Sequence, residues 1–192
     1  MQFILIAARF LTTVAIFPLL VAYWVFRAIF GADAAVEEAS QVLAMIPGRI
    51  GVLMRAVFFS HVLSQCDPTV FIGFGALLTK VDTRLGKHVY IGPYCQLGWV
   101  SIGPDTLLGP NVQIPSGSHA HTFDRLDTLI RNQPRESRQV FIGGDCWIGA
   151  GSIVMADVGD QSILGAGSVV TKPIGDKVLA AGVPCKWLRN RE

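Results

Sequence analysis

The sequence has no excess of charge of either sign, because 16 Lys and Arg residues are nearly balanced by 14 Asp and Glu residues. A chain without a dominant basic surface is not expected to bind nucleic acid. The sequence also lacks any Cys-x-x-Cys pair, since its 4 cysteines are Cys66, Cys95, Cys146 and Cys185. That spacing excludes a zinc ribbon or a thioredoxin-like redox site, and it requires no disulfide.

A six-residue repeat runs from Ile72 to Val170 and is interrupted once. Within each group the aliphatic residues stand six positions apart, and between groups the step changes to seven, five or four. The repeated residues are Ile72, Leu78, Leu85, Ile91, Leu97, Ile102, Leu108, Ile114, Ile142, Ile148, Val154, Val158, Leu164 and Val170. Neither a helix nor a plain strand has this period. A short fixed repeat is typical of a parallel β-solenoid, in which each unit is one short strand and a corner.

Two further regularities accompany the repeat. A small or β-branched residue stands two positions before nearly every aliphatic residue, and Cys95 and Cys146 occupy this position. We therefore expect both cysteines to be buried packing residues. Glycine directly follows ten of the aliphatic residues, and we attribute this to a backbone conformation that other residues resist. These glycines are Gly73, Gly86, Gly92, Gly98, Gly103, Gly109, Gly143, Gly149, Gly159 and Gly165.

The pattern from about Val70 to Leu188 resembles the hexapeptide-repeat, left-handed β-helix acyltransferases. The runs Cys146–Gly151, Leu164–Lys172 and Ala181–Cys185 are similar to the branch that transfers acetyl groups from acetyl-coenzyme A to sugar hydroxyls. The resemblance implies a mainly β fold, a left-handed parallel β-helix preceded by hydrophobic α-helices. It further implies a homotrimer with active sites between subunits, acetyl-CoA as co-substrate and no metal.

The chain divides into a hydrophobic helical region at residues 1–66 and a β-helix domain at residues 67–192. The domain contains an extruded polar loop at 115–140 and a C-terminal covering segment at 173–192. In the first region no charge occurs from Phe10 to Phe26, which is near the lower limit of about 17–25 residues for a membrane span. We expect this region to associate with a membrane.

Pro18 lies in the middle of the uncharged stretch and should kink or break a helix. Three alternatives remain open: a signal peptide cleaved near Ala32-Asp33-Ala34, a single span, and a re-entrant hairpin folded at Pro18. Tyr23 and Trp24 beside Arg27 predict an anchor at the membrane surface.

Residues 36–63 are expected to be helical with a break at Pro47-Gly48, and Asp33 is a candidate N-cap. The second helix is too apolar for a free surface. It either packs on the first segment or lies in the membrane interface, and a third possibility is that it closes the open end of the solenoid.

Acetyl transfer to a hydroxyl needs a general base, and an imidazole titrates in the appropriate range. The resemblance assigns the base to a histidine at the start of the extruded loop, in a setting like Ser116-Gly117-Ser118-His119. His119 is therefore the predicted catalytic residue, and His121 is the fallback. No acyl-enzyme is required, because proximity in a ternary complex supplies much of the rate.

The same resemblance implies a binding site for acetyl-CoA along the later coils. Ala150 or Gly151 maps near the thioester, and Ala166 maps beside the pantetheine arm. Four further positions map near the nucleotide and its phosphates, which Lys and Arg suit. The complete predicted set is Trp147, Ala150, Gly151, Ala166, Thr171, Lys172, Lys186 and Arg189.

One position departs from the family pattern. Where these enzymes often carry an Asn facing the catalytic histidine, this chain has Gly92, and His88 and Asn111 are nearby polar candidates. The early coils also contain large residues at outward or corner positions, which predict either subunit contacts or a wall of the acceptor site. These residues are Tyr90, Tyr94 and Trp99.

We therefore expect an O-acetyltransferase at the cytoplasmic face of a bacterial inner membrane, where acetyl-CoA is available. Its expected acceptor is a sugar on a lipid-linked glycan during surface polysaccharide synthesis. Three alternatives remain: a serine acetyltransferase-like enzyme with a small soluble acceptor, a zinc protein resembling γ-type carbonic anhydrase, and a non-catalytic membrane scaffold. For the zinc protein only His88, His119 and His121 are available as ligands, and their spacing does not match that family.

Overall fold

The computed structural model describes residues 2–118 and 121–192. In these ranges, three helices precede the solenoid: α1 (Gln2–Phe30), α2 (Ala32–Ala44) and α3 (Gly48–Val62). Helix α1 continues through Pro18 without a break, so the prediction of a hairpin folded there is wrong. The break between α2 and α3 falls at Pro47, as predicted.

Sixteen short strands follow in the described part of the chain, and most contain two residues. In each of these except β1, the first residue points outward and the second is the buried aliphatic residue of the repeat. The strands are β1 Gln65–Cys66, β2 Phe71–Ile72, β3 Leu77–Leu78, β4 Arg84–Leu85, β5 Tyr90–Ile91, β6 Gln96–Leu97, β7 Val100–Ile102, β8 Leu107–Leu108, β9 Gln113–Ile114, β10 Val140–Ile142, β11 Trp147–Ile148, β12 Ile153–Val154, β13 Ile163–Leu164, β14 Val169–Val170, β15 Val178–Ala181 and β16 Lys186–Asn190.

The strands form three parallel sheets, which are the three faces of a prism. Face A contains β1, β4, β7 and β10; face B contains β2, β5, β8, β11, β13 and β15; face C contains β3, β6, β9, β12 and β14. Equivalent residues of successive coils pair with one another, as Ile72 pairs with Ile91 and Ile91 pairs with Leu108. The predicted parallel β-helix, preceded by apolar helices, is thus confirmed.

Glycine is required after the aliphatic residues for a different reason from the one we predicted. These glycines do not adopt left-handed backbone angles; instead, each lies against the backbone of the next coil. A Cβ atom at Gly92 would lie 2.7 Å from the carbonyl carbon of Gly109, and one at Gly109 would lie 2.7 Å from the nitrogen of Ala150. Stacked coils leave no room for a side chain at this position.

The three edges of the prism differ in regularity. We call the edge from face C to face A the loop edge (residues 79–83, 98–99, 115–139, 155–157 and 171–173). The edge from face B to face C is the glycine edge (73–76, 92–95, 109–112, 149–152 and 165–168). The edge from face A to face B is the third edge (67–70, 86–89, 103–106, 143–146, 159–162 and 175–177). The steps of seven, five and four in the repeat all fall at the loop edge.

The polar insertion leaves the prism at the loop edge of the third coil, through a closed neck. Ser116 Oγ accepts a hydrogen bond from Trp99 N at 3.0 Å, and Ser116 O accepts one from Arg138 N at 3.0 Å. Arg138 Nη1 also pairs with Asp157 of a later coil, at 3.1 Å from Oδ1. The two ends of the insertion are therefore fixed to the solenoid and to each other.

The helices cover the open end of the first coil, and Arg55 of α3 connects them to that coil by hydrogen bonds. Its side chain is 0% exposed. Its Nε donates to Ile72 O at 2.9 Å, and its Nη1 donates to Leu43 O at 2.8 Å and to Ile46 O at 2.9 Å. Burial lowers the pKa of the Arg55 guanidinium from its ordinary value. One side chain thus ties α3 to the end of α2 and to the solenoid, so α3 does close the open end.

Asp33 also joins the helices to the first coil and is not an N-cap. Gly31 occupies the N-cap position of α2. The Asp33 carboxylate instead accepts hydrogen bonds from Lys80 Nζ at 2.8 Å and from Val81 N at 3.0 Å. The prediction of a cap was wrong because the side chain finds partners 47 and 48 residues away in sequence.

Replacement of Arg55 by methionine should destabilise the protein by at least about 3 kcal/mol. The substitution keeps much of the volume but leaves three carbonyl oxygens without their donor, and each unsatisfied buried group costs roughly 1–3 kcal/mol. Denaturant unfolding of Arg55→Met is compared with that of Arg49→Met, which changes an exposed arginine of the same helix. An equal decrease in the free energy of unfolding in the two variants would contradict this role of Arg55.

Replacement of Gly117 by alanine should loosen the neck of the insertion. Gly117 has a φ of +86°, and a Cβ there would lie 2.8 Å from Arg138 Cγ. Left-handed strain alone costs about 1–2 kcal/mol, which corresponds to about 5–30-fold more opening. Tryptic cleavage within the insertion should rise by that factor. The matched control is Gly175→Ala, where a Cβ meets nothing within 4 Å and φ is not left-handed; similar cleavage in both variants would refute the assignment.

Candidate active site

The predicted base, His119, lies outside the described residues, but the neck before it is well defined. Ser116 and Gly117 belong to the neck, so the chain reaches residue 119 within three residues of a fixed point on the loop edge. His121 is exposed on the insertion. The neck that precedes the predicted base therefore lies at the loop edge of the third coil.

The insertion is folded around the side chain of Gln133, which is 6% exposed. Its amide nitrogen donates to Arg125 O at 2.8 Å and to Thr128 O at 2.9 Å, and its amide oxygen accepts from Arg125 N at 3.2 Å. Thr122 closes the other side through Pro134 O. Sequence reasoning did not identify Gln133, because these partners are local backbone groups without a residue signature.

A shallow depression of about 230 Å³ lies on face C beside the neck. Its wall includes Gln96 and Gln113, which pair in register on adjacent coils, and Pro115 and Ser116 of the neck close one end. Glutamine side chains both donate and accept hydrogen bonds, which suits a polyhydroxylated ligand. The sequence did contain this signal, since both glutamines occupy outward positions of the repeat, but we overlooked it.

The three residues considered for the acceptor side lie elsewhere. Gly92 is packed against the next coil on the glycine edge. Asn111 lies on the same edge, with a φ of 57°. His88 lies on the third edge, where its Nδ1 is 3.0 Å from Asp105 Oδ1. None of the three lines the depression beside the neck, whereas Gln96 and Gln113 do.

The large residues of the early coils have separate surroundings. Tyr90 on face B stacks on Phe71, with ring centroids 4.7 Å apart. Tyr94 packs edge-on against Phe74 at 5.6 Å on the glycine edge. Trp99 is half-buried at the loop edge, and its indole nitrogen has no hydrogen-bond partner within the described part of the chain. The three aromatic residues therefore do not form one wall.

The predicted acetyl-CoA residues fall into separate groups. Ala150, Gly151 and Ala166 lie together on the glycine edge, where Gly167 N donates to Ala150 O at 2.8 Å. A Cβ at Gly151 would meet nothing within 4 Å. Backbone is therefore exposed at this part of the edge, with open space above Gly151 and Gly167. Trp147 is 56% exposed on the adjoining face B.

The basic residues of the predicted set lie at the far end of the prism. Thr171 and Lys172 are exposed at the loop edge of the fifth coil, and Lys186 and Arg189 are exposed on β16. Strand β16 pairs antiparallel with β15 and extends face B. The structure therefore brings together the residues of the glycine edge, but it places Thr171 and Lys172 across face C from them.

The buried cysteines do not supply a nucleophile. Cys95 Sγ lies 3.2 Å from Gly109 O beneath the glycine edge, and burial raises the pKa of the Cys95 thiol to about 11. Burial also raises the pKa of the Cys146 thiol. Both thiols are therefore protonated near neutral pH, and both are packing residues as predicted.

Comparisons with known proteins agree with this architecture. The family model described as "Hexapeptide repeat of succinyl-transferase" matches residues 139–172, and the model "Bacterial transferase hexapeptide (six repeats)" matches residues 82–116. A galactoside O-acetyltransferase of Lactococcus lactis subsp. lactis (strain IL1403) is 31% identical over 162 residues, covering 78% of this chain and 71% of that protein. The galactoside O-acetyltransferase of Escherichia coli (strain K12) is 39% identical over 133 residues, covering 65% of this chain and 59% of that protein.

Nodulation protein L of Rhizobium leguminosarum bv. viciae is 33% identical over 97 residues, covering 45% of this chain and 49% of that protein. The chain thus spans between about half and three quarters of the length of these relatives. A maltose O-acetyltransferase from Clostridium difficile 630 shares the fold, with a TM-score of 0.70 and 23% identity over 83% of this chain and 88% of that one. From the stacked hexapeptide coils and the extended match to the Lactococcus protein, we conclude that the chain belongs to the hexapeptide-repeat O-acetyltransferase family.

Proposed function

We propose that the protein transfers an acetyl group from acetyl-CoA to a hydroxyl of a sugar. The observation that supports this proposal is the neck formed by Ser116 and Arg138, which closes one end of the depression on face C. We propose that the general base, His119, acts from the segment that follows this neck, and that Gln96 and Gln113 in the depression bind the acceptor. The relatives named for galactoside O-acetylation support the same reaction class.

In the proposed reaction the sugar hydroxyl oxygen attacks the carbonyl carbon of the thioester while His119 accepts the hydroxyl proton. The tetrahedral intermediate then collapses, the carbon–sulfur bond breaks, and the leaving thiolate receives the proton from the histidine. The acetyl group passes directly to the acceptor. Direct transfer agrees with the raised pKa values of the Cys95 and Cys146 thiols, which are unsuited to form an acyl-enzyme.

The proposed acetyl-CoA site is the open part of the glycine edge. Gly151 and Ala166 expose backbone to an extended ligand, and outward amide groups there can stabilise the oxyanion of the intermediate. Trp147 is available for apolar contact, and the exposed cations Lys186 and Arg189 suit the phosphates at the far end. These proposed roles come from the resemblance of the runs Cys146–Gly151, Leu164–Lys172 and Ala181–Cys185 to sugar acetyltransferases. The positions of these residues in the structure are compatible with the roles.

We further propose that the active enzyme is a homotrimer with its sites between subunits. Face B carries an outward column of exposed apolar side chains on four successive coils, and the neighbouring chain is the partner that this column fits. The column consists of Phe71, Tyr90, Leu107 and Trp147, with exposures of 37%, 37%, 47% and 56%. A second subunit would also supply the remaining wall of a site that is open in one chain.

The proposed acceptor is a lipid-linked glycan at the cytoplasmic face of a bacterial inner membrane. Within the described residues, one helical stretch, Leu11–Phe30, is long and apolar enough to cross a membrane. Only 17% of the residues in its most apolar 18-residue part are buried. Attachment to the membrane raises the effective concentration of an acceptor held in the same membrane. The cytoplasmic side is the side on which acetyl-CoA is available.

Replacement of His119 by alanine should lower kcat/KM for acetyl transfer by roughly 10²–10⁴-fold, because general base catalysis contributes about that factor. The assay follows labelled acetyl from acetyl-CoA into galactosides and into extracted membrane glycolipids. The matched comparison is His121→Ala, which should retain most of the activity. A large loss in His121→Ala with little loss in His119→Ala would move the base to His121, and full activity in both would contradict the mechanism.

Replacement of Gln113 by alanine should raise the KM for the sugar about 3- to 10-fold, because one hydrogen bond contributes roughly 0.5–1.5 kcal/mol. The KM for acetyl-CoA should not change, since Gln113 lies in the depression of face C and not on the glycine edge. Gln65→Ala is the control, as Gln65 is an exposed glutamine on face A. An unchanged sugar KM would show that the depression does not bind the acceptor.

A further inference from the structure

We infer that helix α1 lies flat in the surface layer of a lipid bilayer, half immersed, and does not cross it. The inference rests on the membrane attachment proposed above and specifies the surface and its orientation. It uses three observations: the division of α1 into two sides, the two flanking contacts with the first coil, and the polar side chains beside it.

From Leu11 to Phe30, the side of α1 that faces away from the protein is entirely apolar. Every exposed residue of the stretch 11–30 is aliphatic, aromatic, alanine or proline. The large ones are Leu11, Val14, Phe17, Val21, Trp24, Val25, Ile29 and Phe30, with exposures between 47% and 67%. A contiguous apolar surface of this length is not stable against water, and a hydrocarbon layer is the partner that matches its chemistry.

The opposite side of α1 carries its polar groups and packs on the protein. The stripe that contains the buried residues Ile16 and Leu20 also contains the polar residues Arg9, Thr13, Tyr23 and Arg27. These six residues follow one another at steps of three or four positions, which places them on one side of a helix. The Tyr23 ring packs edge-on against Phe58 of α3 at 5.7 Å. Over residues 11–30 the helix therefore has one side on the protein and one apolar side away from it, which is the pattern of an interfacial helix.

Two contacts that flank the stretch 11–30, one from Arg9 of α1 and one from Asp33 of α2, join it to the first coil. Near the start, Arg9 Nη2 donates to Pro68 O at 2.6 Å, on the third edge. Just after the end, Asp33 binds Lys80 and Val81 on the loop edge of that coil. Because the two attachment points lie at one level of the prism, α1 passes across the end of the solenoid and does not continue along its axis.

A crossing helix would have to give up these contacts or carry charge into the membrane. Glu38 of α2 borders the same groove as Tyr23 and Phe26 of α1, and Glu37 beside it is exposed. Drawing α1 through about 30 Å of hydrocarbon would take its neighbours with it, and buried carboxylates are strongly disfavoured there. A flat orientation leaves these carboxylates in the aqueous layer while the outer side of α1 enters the lipid.

The end of α1 has the side chains that hold a helix at a membrane surface. The Arg27 guanidinium lies 4.9 Å from the centroid of the Trp24 ring and donates to the Tyr23 hydroxyl at 3.3 Å. Tryptophan, tyrosine and arginine are favoured at the headgroup level. With α1 flat, the axis of the prism stands away from the membrane, and the neck at Ser116 lies on the third coil, two coils beyond the coil that the helices cover.

The first test is flotation of the full chain with vesicles of phosphatidylcholine and phosphatidylglycerol. The wild-type chain should float, and Phe17→Glu combined with Val21→Glu should reduce the bound fraction at least tenfold. Val183→Glu combined with Leu188→Glu is the control, because it places the same two charges on exposed apolar residues outside α1. Flotation of the double variant equal to wild type would overturn the lipid-facing side of α1, and a wild-type chain that stays in solution would overturn membrane attachment as well.

The second test separates a flat helix from a spanning one. A peptide tag is added at the N-terminus of the full chain, and the protein is bound from outside to sealed vesicles of the same composition. A flat α1 leaves the tag and the solenoid on one side, so external protease should remove the tag completely. Protection of the tag would overturn the flat orientation and leave membrane attachment intact. Acetylation of soluble galactosides, measured separately, reports on the catalytic proposal alone.

Discussion

The stacking of equal coils is the constraint on which the rest of the structure depends. Each short strand bonds to the equivalent strand of the next coil, so the spacing between coils is that of neighbouring β-strands, about 4.8 Å. A glycine such as Gly92 satisfies this spacing because any Cβ would meet the backbone of the coil above. The faces consequently admit little variation, and the chain can change length only where it turns a corner.

The three helices cover the open end of the solenoid at its first coil. A solenoid leaves the interior of its first coil and the hydrogen-bonding groups of that coil exposed unless another element covers them. Here Arg55 supplies donors to carbonyl oxygens of α2, of the turn after α2 and of the first coil. The same layer carries the apolar outer side of α1, so the three helices both close the fold and hold the surface that we propose to meet lipid.

The solenoid was predictable because its pattern is local: an aliphatic residue every sixth position and a small residue two positions before it. The inward packing of Cys95 and the position of the insertion follow from that pattern. The errors concern relationships that the pattern does not contain. Asp33 binds the backbone of a coil 48 residues away, and helix α1 passes through Pro18 without a break.

At the candidate site, the neck residues were recognised only through resemblance, and the role of Gln96 and Gln113 was missed. These two glutamines lie on successive coils and become neighbours only when the coils stack. Periodicity shows that both point outward, but it does not show that a depression lies between them and Ser116. The depression exists because the insertion begins at that corner, which is a property of the assembled edge.

The irregular loop edge has a consequence for how such proteins diversify. Since every change of step falls there, the part of the insertion beyond the neck and the proposed base, residues 122–136, can be lengthened, shortened or exchanged without disturbing a pairing in faces A, B or C. The entropy of closing a loop rises by only about 0.6 kcal/mol for each doubling of its length. New acceptor preferences can therefore arise by exchange of this part of the insertion, while the proposed acetyl-CoA site on the glycine edge stays unchanged.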